Sequence, residues 1–464
     1  MQTFDLVVIG GGSAGLKAAR TAARQGRRVA LAEERELGGE CFWAGCVPTK
    51  AMVRAAEVWH LVGRAHEFGI HTQVIKADFA DAMRYKDGVV KTISGEGPED
   101  AGLSKLGASY FPTRASFESA HEIRVGNEVI RTEKVLIATG TVPHIPDVPG
   151  LREAGFITNR EAVHLTTLPK RLAVMGGGPI GLEFAQLFRR FGAEVTVLDH
   201  GERLLSKEDA DISALATQFL REEGIVVHNG TRVTEVETLE DGTKRLRFNN
   251  ETPPLDCDEI LVATGRRAAI TGMNLEAADI VHDARHIPVD PYLRTNQPHI
   301  FAAGDITGGY LFTHVASYEG GLAAHNLFSG TLIPFDHRVV PRCTYIDPEV
   351  ASIGVTEATA KAQNLPYTVL KYSFADLDRA ILYGDARGLV KILVDELNGR
   401  ILGAHLIGPQ ASSVLAELAV AMRNHLPITA IAETMHAYPS FPEAVEAAAL
   451  SARNFRGQVD GAMG

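Results

Sequence analysis

The sequence predicts an α/β protein that contains two doubly wound units, in which parallel strands alternate with helices. Three observations predict this class. The first thirty-odd residues read as an apolar strand, a glycine turn, a helix and a second strand. The same pattern returns 166 positions later, in RLAVMGGGPIGLEFAQLFRRFGAEVTVLDH. Two further apolar strands, in KVLIATG and EILVATG, run into Ala-Thr-Gly, and each is expected to return the chain from one unit to the next.

The first glycine turn has the spacing G-x-G-x-x-G, at Gly10, Gly12 and Gly15. The first glycine of this spacing allows a tight turn, the second lets the backbone approach a pyrophosphate, and the third lets the helix pack closely. The phosphates would then lie at a helix N-terminus. Glu33 ends the second strand, where a carboxylate can accept hydrogen bonds from ribose hydroxyls.

A single glycine pattern is weak evidence in a chain with 45 glycines, and its repetition in register is stronger. Gly176, Gly178 and Gly181 follow their counterparts at the same interval, and Asp199 takes the place of the first unit's glutamate. The duplication predicts two dinucleotide sites. Asp305 follows another apolar strand, in HIFAAGDIT, where its carboxylate could bind polyol hydroxyls of a cofactor or be a solvated turn residue.

Composition and charge exclude several classes of protein. The chain has 464 residues, 45% of them apolar and 22% charged, which is typical of a globular protein with two or more cores. Its net charge of -11 argues against nucleic-acid binding. No run approaches the roughly 18 apolar residues of a membrane span, and no basic and apolar leader precedes the first strand. We therefore expect a cytoplasmic protein that neither binds nucleic acid nor spans a membrane.

The four cysteines are Cys41, Cys46, Cys257 and Cys343, too few for the disulfide framework of a secreted protein. A close pair in such a chain indicates a catalytic or a metal-binding role. A zinc site needs about four ligands, and the segment around the first two cysteines offers no histidine and one acid, Glu40. We therefore predict no metal site, and expect the other two cysteines to be packing residues.

The close pair lies in GGECFWAGCVPTKAM. In a straight helix the Cα atoms of Cys41 and Cys46 would be about 8.5 Å apart, beyond the roughly 7 Å that a disulfide tolerates. The segment is therefore expected to be distorted, which Gly45 makes easy. A helix N-terminus beside Lys50 would stabilise a thiolate. The alternative is a pair of buried, reduced cysteines.

Together these motifs resemble the class I flavin disulfide reductases, the family of dihydrolipoamide dehydrogenase, glutathione reductase and mercuric reductase. The family pattern has two cysteines separated by four residues and followed by Val/Ile-Pro-x-Lys. This sequence carries it as Cys41, Cys46, Val47, Pro48 and Lys50. GGGPIGLE, the ATG segments, AAGD, LFTHVASYEGG and VVPRCTYIDPEVASIG match in the family's order, so that the resemblance covers essentially the whole chain.

The resemblance implies an FAD-dependent NAD(P)H oxidoreductase that exchanges electrons between nicotinamide and a disulfide or dithiol substrate. Cys46 would lie nearer the flavin, and Cys41 would exchange with the substrate. Lys50 and Glu183 would pair near flavin N5. Two alternatives remain open: a reductase of quinones, of metal ions such as Hg(II) or of oxygen, and a flavoprotein that serves as a redox sensor or binding protein.

The resemblance also implies the residues that bind the two cofactors. For FAD they are Gly10, Gly12, Ser13, Ala14, Gly15, Glu33, Gly39, Lys50, Ala115, Thr139, Gly140, Asp305, Thr313, His314 and Ala316. For NAD(P) they are Gly176, Gly178, Pro179, Ile180, Gly181, Glu183, Asp199, Val233 and Gly265.

NADH is expected to be preferred to NADPH because Asp199 ends the second strand of the second unit. At an effective dielectric constant of 20, like charges about 4 Å apart repel by roughly 4 kcal/mol. A surface contact from His200 or Arg203 to the extra phosphate of NADPH would return about 1 kcal/mol or less.

The C-terminal segment HAYPSFPEA resembles a family loop in which a histidine is the acid-base partner of the outer thiol. Tyr438 takes the place of that histidine, while Pro439 and Glu443 are kept, and the resemblance implies a cis bond before the proline. With an ordinary pKa near 10, only about one phenol in a thousand is ionised at pH 7. His436 could substitute, because residues two apart share a side of an extended segment, or it could be a packing residue.

The resemblance implies three domains. An FAD-binding domain is expected at residues 1–150 and 270–335, an NAD(P)-binding domain at 151–269, and an interface domain at 336–464. The interface domain would form a homodimer in which each active site is shared between two chains, because family members place the HAYPSFPE loop against the partner's cysteines.

Overall fold

A computed structural model describes residues 1–71, 73, 76–95 and 100–452. The first part of the chain forms β1 (Thr3–Ile9), α1 (Ser13–Arg24), β2 (Val29–Ala32), α2 (Gly39–Trp43), α3 (Cys46–Gly63), α4 (Phe79–Ser94), β3 (Ser109–Phe111), β4 (Ala115–Ser119), β5 (Glu122–Val125), β6 (Glu128–Ile137) and β7 (Thr141–Pro143). The middle part forms α5 (Leu151–Ala154), α6 (Asn159–Ala162), β8 (Arg171–Met175), α7 (Pro179–Arg190), β9 (Glu194–Leu198), α8 (Ala210–Glu222), β10 (Val226–His228), β11 (Val233–Thr238), β12 (Lys244–Phe248), β13 (Leu255–Cys257), β14 (Glu259–Val262) and β15 (Arg266–Ala268).

The remainder forms β16 (Ile300–Ala302), α9 (Thr313–Phe328), β17 (Arg342–Thr344), β18 (Glu349–Gly354), α10 (Glu357–Ala362), β19 (Tyr367–Ser373), α11 (Asp378–Tyr383), β20 (Leu389–Asp395), β21 (Ile401–Gly408), α12 (Ala411–Arg423), α13 (Ile428–Ala432) and α14 (Glu443–Leu450). Short 3-10 turns lie at Ala65–Phe68, Ser104–Leu106, Leu275–Ala278, Asp305–Thr307 and Phe374–Asp376.

The first sheet has the order β3-β2-β1-β6-β5-β4 and is extended by β16, which pairs with β6. Strands β3, β2, β1, β6 and β16 are parallel to one another, and β4 and β5 continue as an antiparallel meander. The parallel strands have near-continuous apolar sequences because both of their faces are buried. Helices α1 and α9 cover one face, and strands β4 and β5 together with residues 268–306 cover the other. The strand β16 returns the chain to this sheet after the middle part has formed.

The second sheet repeats the doubly wound arrangement with the parallel order β10-β9-β8-β14. A small antiparallel sheet of β11, β12 and β13 packs beside it. The last sheet is antiparallel, in the order β17-β18-β21-β20-β19, and helices α12 and α14 pack on it. The predicted α/β class, with two doubly wound units and a C-terminal α/β unit, is therefore confirmed.

Helices α1 and α9 pack directly against each other in the first unit. A side chain at Gly320 would place its Cβ 2.2 Å from the carbonyl oxygen of Ala14, so that only glycine fits there. This contact packs the middle of α9 against the first turn of α1.

The predicted break between the two close cysteines is present. Helix α2 ends at Trp43, and Gly45 caps the new helix α3 with a backbone that is not helical. Cys41 and Cys46 therefore lie on different helices, which removes the separation that a straight helix would impose.

Candidate active site

The first glycine turn has the geometry that its spacing predicts. Gly10 has a φ of +106°, and a Cβ at Gly15 would lie 1.8 Å from the carbonyl oxygen of Gly10. The amide of Gly11 donates to Glu33 Oε2 at 2.7 Å, and the amide of Arg35 donates to Glu33 Oε1 at 2.9 Å. The carboxylate at the end of β2 is thus fixed beside the turn.

The second turn repeats this arrangement in detail. Gly176 has a φ of +119°, and a Cβ at Gly181 would lie 2.1 Å from its carbonyl oxygen. The amide of Gly177 donates to Asp199 Oδ2 at 2.5 Å, and the amide of Gly201 donates to Asp199 Oδ1 at 2.6 Å. Residues that are equivalent in the sequence repeat therefore form equivalent hydrogen bonds.

One cavity of about 1850 Å³ joins the two turns. Ligand pockets for single small molecules are typically about 300–1,000 Å³, so this cavity has room for two extended cofactors. Most of the predicted site residues line it: Gly12, Ser13, Ala14, Glu33, Gly39, Cys41, Cys46, Lys50, Thr139, Gly140, Gly178, Pro179, Ile180, Glu183, Asp199, Gly265, Asp305, Thr313, His314 and Ala316.

The first part of the cavity fits FAD. A Cβ at Gly39 would lie 2.9 Å from the Cα of Gly12, so two backbones meet there without side chains and leave a cradle for a phosphate. Thr139 Oγ1 is buried and has no hydrogen-bond partner among the described residues. A flavin nucleotide has the acceptors and hydroxyls that such groups need, and Thr139, Asp305 and the start of α9 would hold it.

The thiol of Cys46 lies at the N-terminus of α3, with Sγ 3.3 Å from Thr313 Oγ1. A hydrogen bond from the Cys41 thiol lowers the pKa of Cys46 to about 6, against the effect of burial, and the Thr313 hydroxyl and the Lys50 ammonium act in the same direction. The same hydrogen bond, together with burial, raises the pKa of Cys41 well above its usual range. Cys46 is therefore the thiolate of the reduced pair at neutral pH.

Lys50 is fixed beside this thiolate by an ion pair across two units. Its Nζ donates to Glu183 Oε2 at 2.6 Å, and the amide of Tyr345 donates to Glu183 Oε1 at 2.9 Å. The ammonium also lies 4.8 Å from the centre of the Tyr345 ring. The Lys50–Glu183 ion pair thus joins helix α3, helix α7 and the loop after β17 beside the thiols.

Asp305 lies in the cavity wall next to Thr141, whose Oγ1 donates to Asp305 Oδ2 at 3.2 Å. Burial raises the pKa of the Asp305 carboxyl, and the charge of Arg266 opposes the shift in part. This carboxyl is an accessible acceptor for hydroxyl groups in the cavity.

Sequence reasoning missed the residues that anchor helix α2. Asn159 Nδ2 donates to Glu40 Oε1 at 2.8 Å and to the carbonyl oxygen of Ala44 at 2.8 Å, and Arg160 donates to Glu40 Oε2 at 2.6 Å. Burial works against ionisation, but the charges of Arg266 and Arg160 hold the pKa of Glu40 below its usual range. No motif marks Asn159 or Arg160, and the position of Glu40 beside a cysteine was the one available signal.

Three residues of β17 and its loop also form part of the cavity wall: Arg342, Cys343 and Tyr345. Cys343 was expected to be a packing residue, and burial raises the pKa of its thiol to about 12. Cys257 is buried in a core, as expected.

Several predicted residues lie away from the cavity. Ala115 and Val233 are buried in strands β4 and β11, with side chains in hydrophobic clusters, because core-facing strand positions do not reach the cavity. The turns themselves depend on four glycines, at which a Cβ would clash with nearby backbone atoms: Gly10, Gly15, Gly176 and Gly181. Among the described residues, no group of three or more His, Cys, Asp or Glu side chains is placed to hold a metal ion.

The C-terminal loop lies outside the cavity of its own chain. Tyr438 is 72% exposed, its hydroxyl donates to Asp378 Oδ2 at 2.8 Å, and this hydrogen bond and the charge of Asp378 raise the pKa of the phenol. The bond between Tyr438 and Pro439 is cis, as the resemblance implied. The Glu443 carboxylate accepts from the amide of Ser440 at 2.5 Å.

The ring of His436 is occupied at both nitrogens. Nε2 lies 3.0 Å from Glu417 Oε1, and Nδ1 lies 3.3 Å from Glu446 Oε2. The side chain is 7% exposed, which is the environment of a packed and paired histidine.

Comparison with known proteins supports this geometry. Residues 4–320 match the family description "Pyridine nucleotide-disulphide oxidoreductase", and residues 340–449 match that family's dimerisation domain. The chain belongs to the pyridine nucleotide-disulphide oxidoreductase family. It is therefore a flavin-dependent oxidoreductase that uses FAD, NAD(P) and a redox-active disulfide, and the dimerisation domain fits a homodimer.

Among similar proteins, a dihydrolipoyl dehydrogenase of Chlamydia muridarum (strain MoPn / Nigg) is 36% identical over 461 residues, covering 97% of each chain. A mercuric reductase of Bacillus cereus is 32% identical over 450 residues, covering 97% of this chain and 71% of that protein. The flavoprotein disulfide reductase RclA from Escherichia coli, described as HOCl-induced and solved as a Cu(II) complex, superposes with a TM-score of 0.87 at 29% identity, covering 97% and 99% of the two chains. None of the described helices has the length and apolar character that crossing a membrane requires.

Proposed function

We propose that this family member is a reductase, in which NADH reduces the Cys41–Cys46 pair through FAD and the pair then reduces a small disulfide. The proposal rests on the position of the Cys46 thiol, which lies 3.3 Å from the Thr313 hydroxyl and beside the Lys50–Glu183 ion pair. Thr139, Asp305 and the start of α9 would hold FAD, which would supply the transfer of two electrons from nicotinamide to the disulfide. Lys50 then stabilises the thiolate that forms on Cys46.

The second half of the reaction is thiol–disulfide exchange. Cys41, once deprotonated, attacks one sulfur of the acceptor and forms a mixed disulfide, and the first product leaves as a thiolate. The Cys46 thiolate then attacks Cys41, which releases the second product and restores the internal disulfide. Because the Cys41 pKa is raised, the proton of that thiol must be removed before the attack.

We assign the cofactors to the units by their glycine turns and cavity walls. Residues 1–150 and 270–335 would bind FAD, residues 151–269 would bind NAD(H), and residues 336–464 would form the interface domain. The site residues predicted above would keep their roles in this assignment, with Glu183 and Lys50 between the two cofactors.

NADH is proposed as the donor because of the positions of Asp199 and Arg203. The Asp199 carboxylate lies beside the second glycine turn, where it can accept from a ribose hydroxyl and repel a phosphate. Arg203 is the nearby cation that could bind a phosphate instead, but its Nη2 donates to the carbonyl oxygen of Ser206 at 3.0 Å.

A shared active site in a homodimer is proposed from the exposed loop of the interface unit. Met435 is 94% exposed and Tyr438 is 72% exposed, although large apolar and aromatic side chains usually find cover. A second copy would cover them and place Tyr438 near the thiols of its partner. We propose a cytoplasmic location for this dimer, because the few cysteines suit a reducing compartment.

Reduction of a soft metal ion is the second candidate function. It is favoured by Tyr438, because two thiolates can bind a soft metal ion, and electrons passed from NADH through FAD would reduce it, without a histidine base. RclA is described in complex with Cu(II), and one of the similar proteins is a mercuric reductase. The metal ion would be a substrate at Cys41 and Cys46, not a resident cofactor.

An anaerobic assay on the FAD-loaded protein tests the proposal. NADH would be mixed with lipoamide, glutathione disulfide, cystine, Hg²⁺, Cu²⁺ or a quinone, and NADH oxidation would be followed with the unmodified protein, Cys46→Ser and Cys257→Ser. We expect reduction of a disulfide to be lost in Cys46→Ser and kept in the buried control Cys257→Ser. Reduction of metal ions alone would support the second candidate, and reduction of quinones alone, unchanged in Cys46→Ser, would refute both.

A further inference from the structure

The cavity wall beside the second glycine turn contains a glutamate whose backbone is firmly placed. Glu208 lies in the loop between β9 and α8. The amide of Leu205 donates to the carbonyl oxygen of Gly177 at 2.9 Å, and the amide of Glu208 donates to the carbonyl oxygen of Leu205 at 2.8 Å. The next residue, Asp209, caps α8 by accepting from the amide of Ala210 at 2.9 Å. Glu208 is therefore held between the glycine turn and the start of a helix.

The carboxylate of Glu208 is buried, and only one of its two oxygens lies near a cation. The residue is 8% exposed. Its Oε1 lies 3.6 Å from Arg342 Nε, which is beyond hydrogen-bond distance and supplies charge alone. Arg342 Nε donates instead to Ser352 Oγ at 3.1 Å. Glu208 Oε2 is buried without a hydrogen-bond partner among the described residues.

An unpaired buried acceptor lowers the stability of a protein, and folded proteins contain few of them. A site that binds a ligand is one reason to keep such a group. Both Glu208 and Arg342 belong to the wall of the cavity that joins the glycine turns, and a rotation of the Glu208 side chain would turn the covered Oε2 towards a molecule bound there.

The chemistry of a carboxylate limits what this molecule can present. Glu208 needs an O–H or N–H donor, and a phosphate group offers only acceptors and a repelling charge. A dinucleotide on the second turn would have its adenosine ribose at Asp199 and its nicotinamide ring near Lys50 and Glu183, which lie beside the thiols. The donors that remain are those of the nicotinamide nucleoside: the ribose hydroxyls and the carboxamide N–H.

We propose that Glu208 Oε2 accepts a hydrogen bond from the nicotinamide nucleoside of the bound dinucleotide. This inference rests on the proposed function, which assigns NAD(H) to the second glycine turn. Asp199 then holds the adenosine end of the dinucleotide, and Glu208 holds the end that carries the hydride. Each nucleoside of the dinucleotide would thus have its own carboxylate in the cavity wall.

A comparison of three ligands distinguishes binding of the nicotinamide end of the dinucleotide from binding of its adenosine end. Dissociation constants of NAD⁺, ADP-ribose and ADP would be measured by calorimetry on the oxidised, FAD-loaded dimer. We expect Glu208→Ala to weaken NAD⁺ roughly tenfold to a hundredfold, as for loss of a hydrogen bond to a charged group, and to leave ADP unchanged. A parallel loss for ADP-ribose identifies the ribose as the donor, and a loss for NAD⁺ alone identifies the carboxamide.

Two controls keep a structural role apart from a binding role. Glu202→Gln changes the same charge at an exposed position of the same loop and should bind all three ligands normally. The melting temperature of Glu208→Gln without dinucleotide should be unchanged or higher, because the unpaired carboxylate is gone, while the increase caused by NAD⁺ should be smaller.

Four results would overturn the inference. One is an unchanged affinity of Glu208→Ala for NAD⁺, and another is an equal loss of ADP binding. The third is a lower melting temperature of Glu208→Gln without ligand, since that would make Glu208 a structural partner of Arg342. Failure of the unmodified protein to bind NAD⁺ would refute the NADH proposal itself and the inference with it.

Discussion

Tyr438 replaces an imidazole with a phenol at the position where the resembled loop has its acid-base residue. Its hydroxyl already donates to Asp378, and that carboxylate raises the pKa of the phenol further from neutrality. His436 cannot take over from its present place, because Glu417 and Glu446 occupy both ring nitrogens. The exposed loop therefore offers no imidazole nitrogen that is free to take the proton of Cys41.

We predict that Tyr438→His increases turnover with disulfide acceptors. An imidazole with a pKa near 6.5 can take the Cys41 proton at pH 7, and general acid-base catalysis is typically worth about 10²- to 10⁴-fold. The measurement is the pH dependence of kcat with a disulfide acceptor, which should gain a group that titrates near pH 6.5. Tyr438→Phe is the matched control and should behave like the unmodified protein. No gain with any disulfide would contradict the assignment of this position.

Helix α2 contains Cys41, and few interactions within the helix stabilise it. It is five residues long, none of its residues is buried, and no side chain caps its N-terminus. Asn159, which is 5% exposed, supplies two hydrogen bonds from outside the helix, to Glu40 and to Ala44. The position of Cys41 relative to Cys46 thus depends on contacts with α6.

We predict that Asn159→Ala destabilises the protein by about 1–3 kcal/mol, because the buried carbonyl oxygen of Ala44 loses its donor and Glu40 loses one of its hydrogen bonds. Urea unfolding measures the loss, and hydrogen exchange should become faster at residues 39–45. Asn424→Ala is the control, since the Asn424 amide donates to Val420 at an exposed helix end and its loss should cost a few tenths of a kcal/mol. Equal effects of the two substitutions would show that α2 is held by other contacts.

Across the whole molecule, the sequence predicted those parts that repeat or have a fixed spacing. The two glycine turns and the helix break at Gly45 follow from local backbone geometry, which neighbouring residues determine. The contacts of Asn159, Glu208 and Arg342 could not be predicted, because each joins segments far apart in the chain without a motif. The burial of the Ala115 side chain could not be predicted either, because a position in a family pattern does not say which face of a strand is buried.

The second doubly wound unit is joined to the interface unit by a buried charge cluster. Lys391 of β20 is 1% exposed, and its Nζ lies 2.8 Å from Asp211 Oδ1, 2.8 Å from Glu357 Oε2 and 3.2 Å from Asp209 Oδ1. Burial works against ionisation of Asp211, but hydrogen bonds from Lys371 and Lys391 lower its pKa to about 2. Hydrogen bonds from Lys391 and Lys361 lower the pKa of Glu357 to about 2 as well.

We predict that Lys391→Met lowers the free energy of unfolding at pH 7 by about 3–5 kcal/mol, because the cluster loses its buried cation, while the partly exposed Asp211 and Glu357 keep only Lys371 and Lys361. Lys371→Met is the control, since Lys371 contacts the same Asp211 from the surface and should cost about 1 kcal/mol or less. The two acids have lower pKa values in the folded state than in the unfolded chain, so their contribution is complete above about pH 4.5 and is lost as the pH falls towards 2. Thermal unfolding at pH 7 and at pH 3 should therefore show a large difference between Lys391→Met and the unmodified protein at the higher pH and a smaller one at the lower. A difference that does not change with pH would mean that Lys391 contributes through packing of its alkyl chain, and that charge does not hold the two units together.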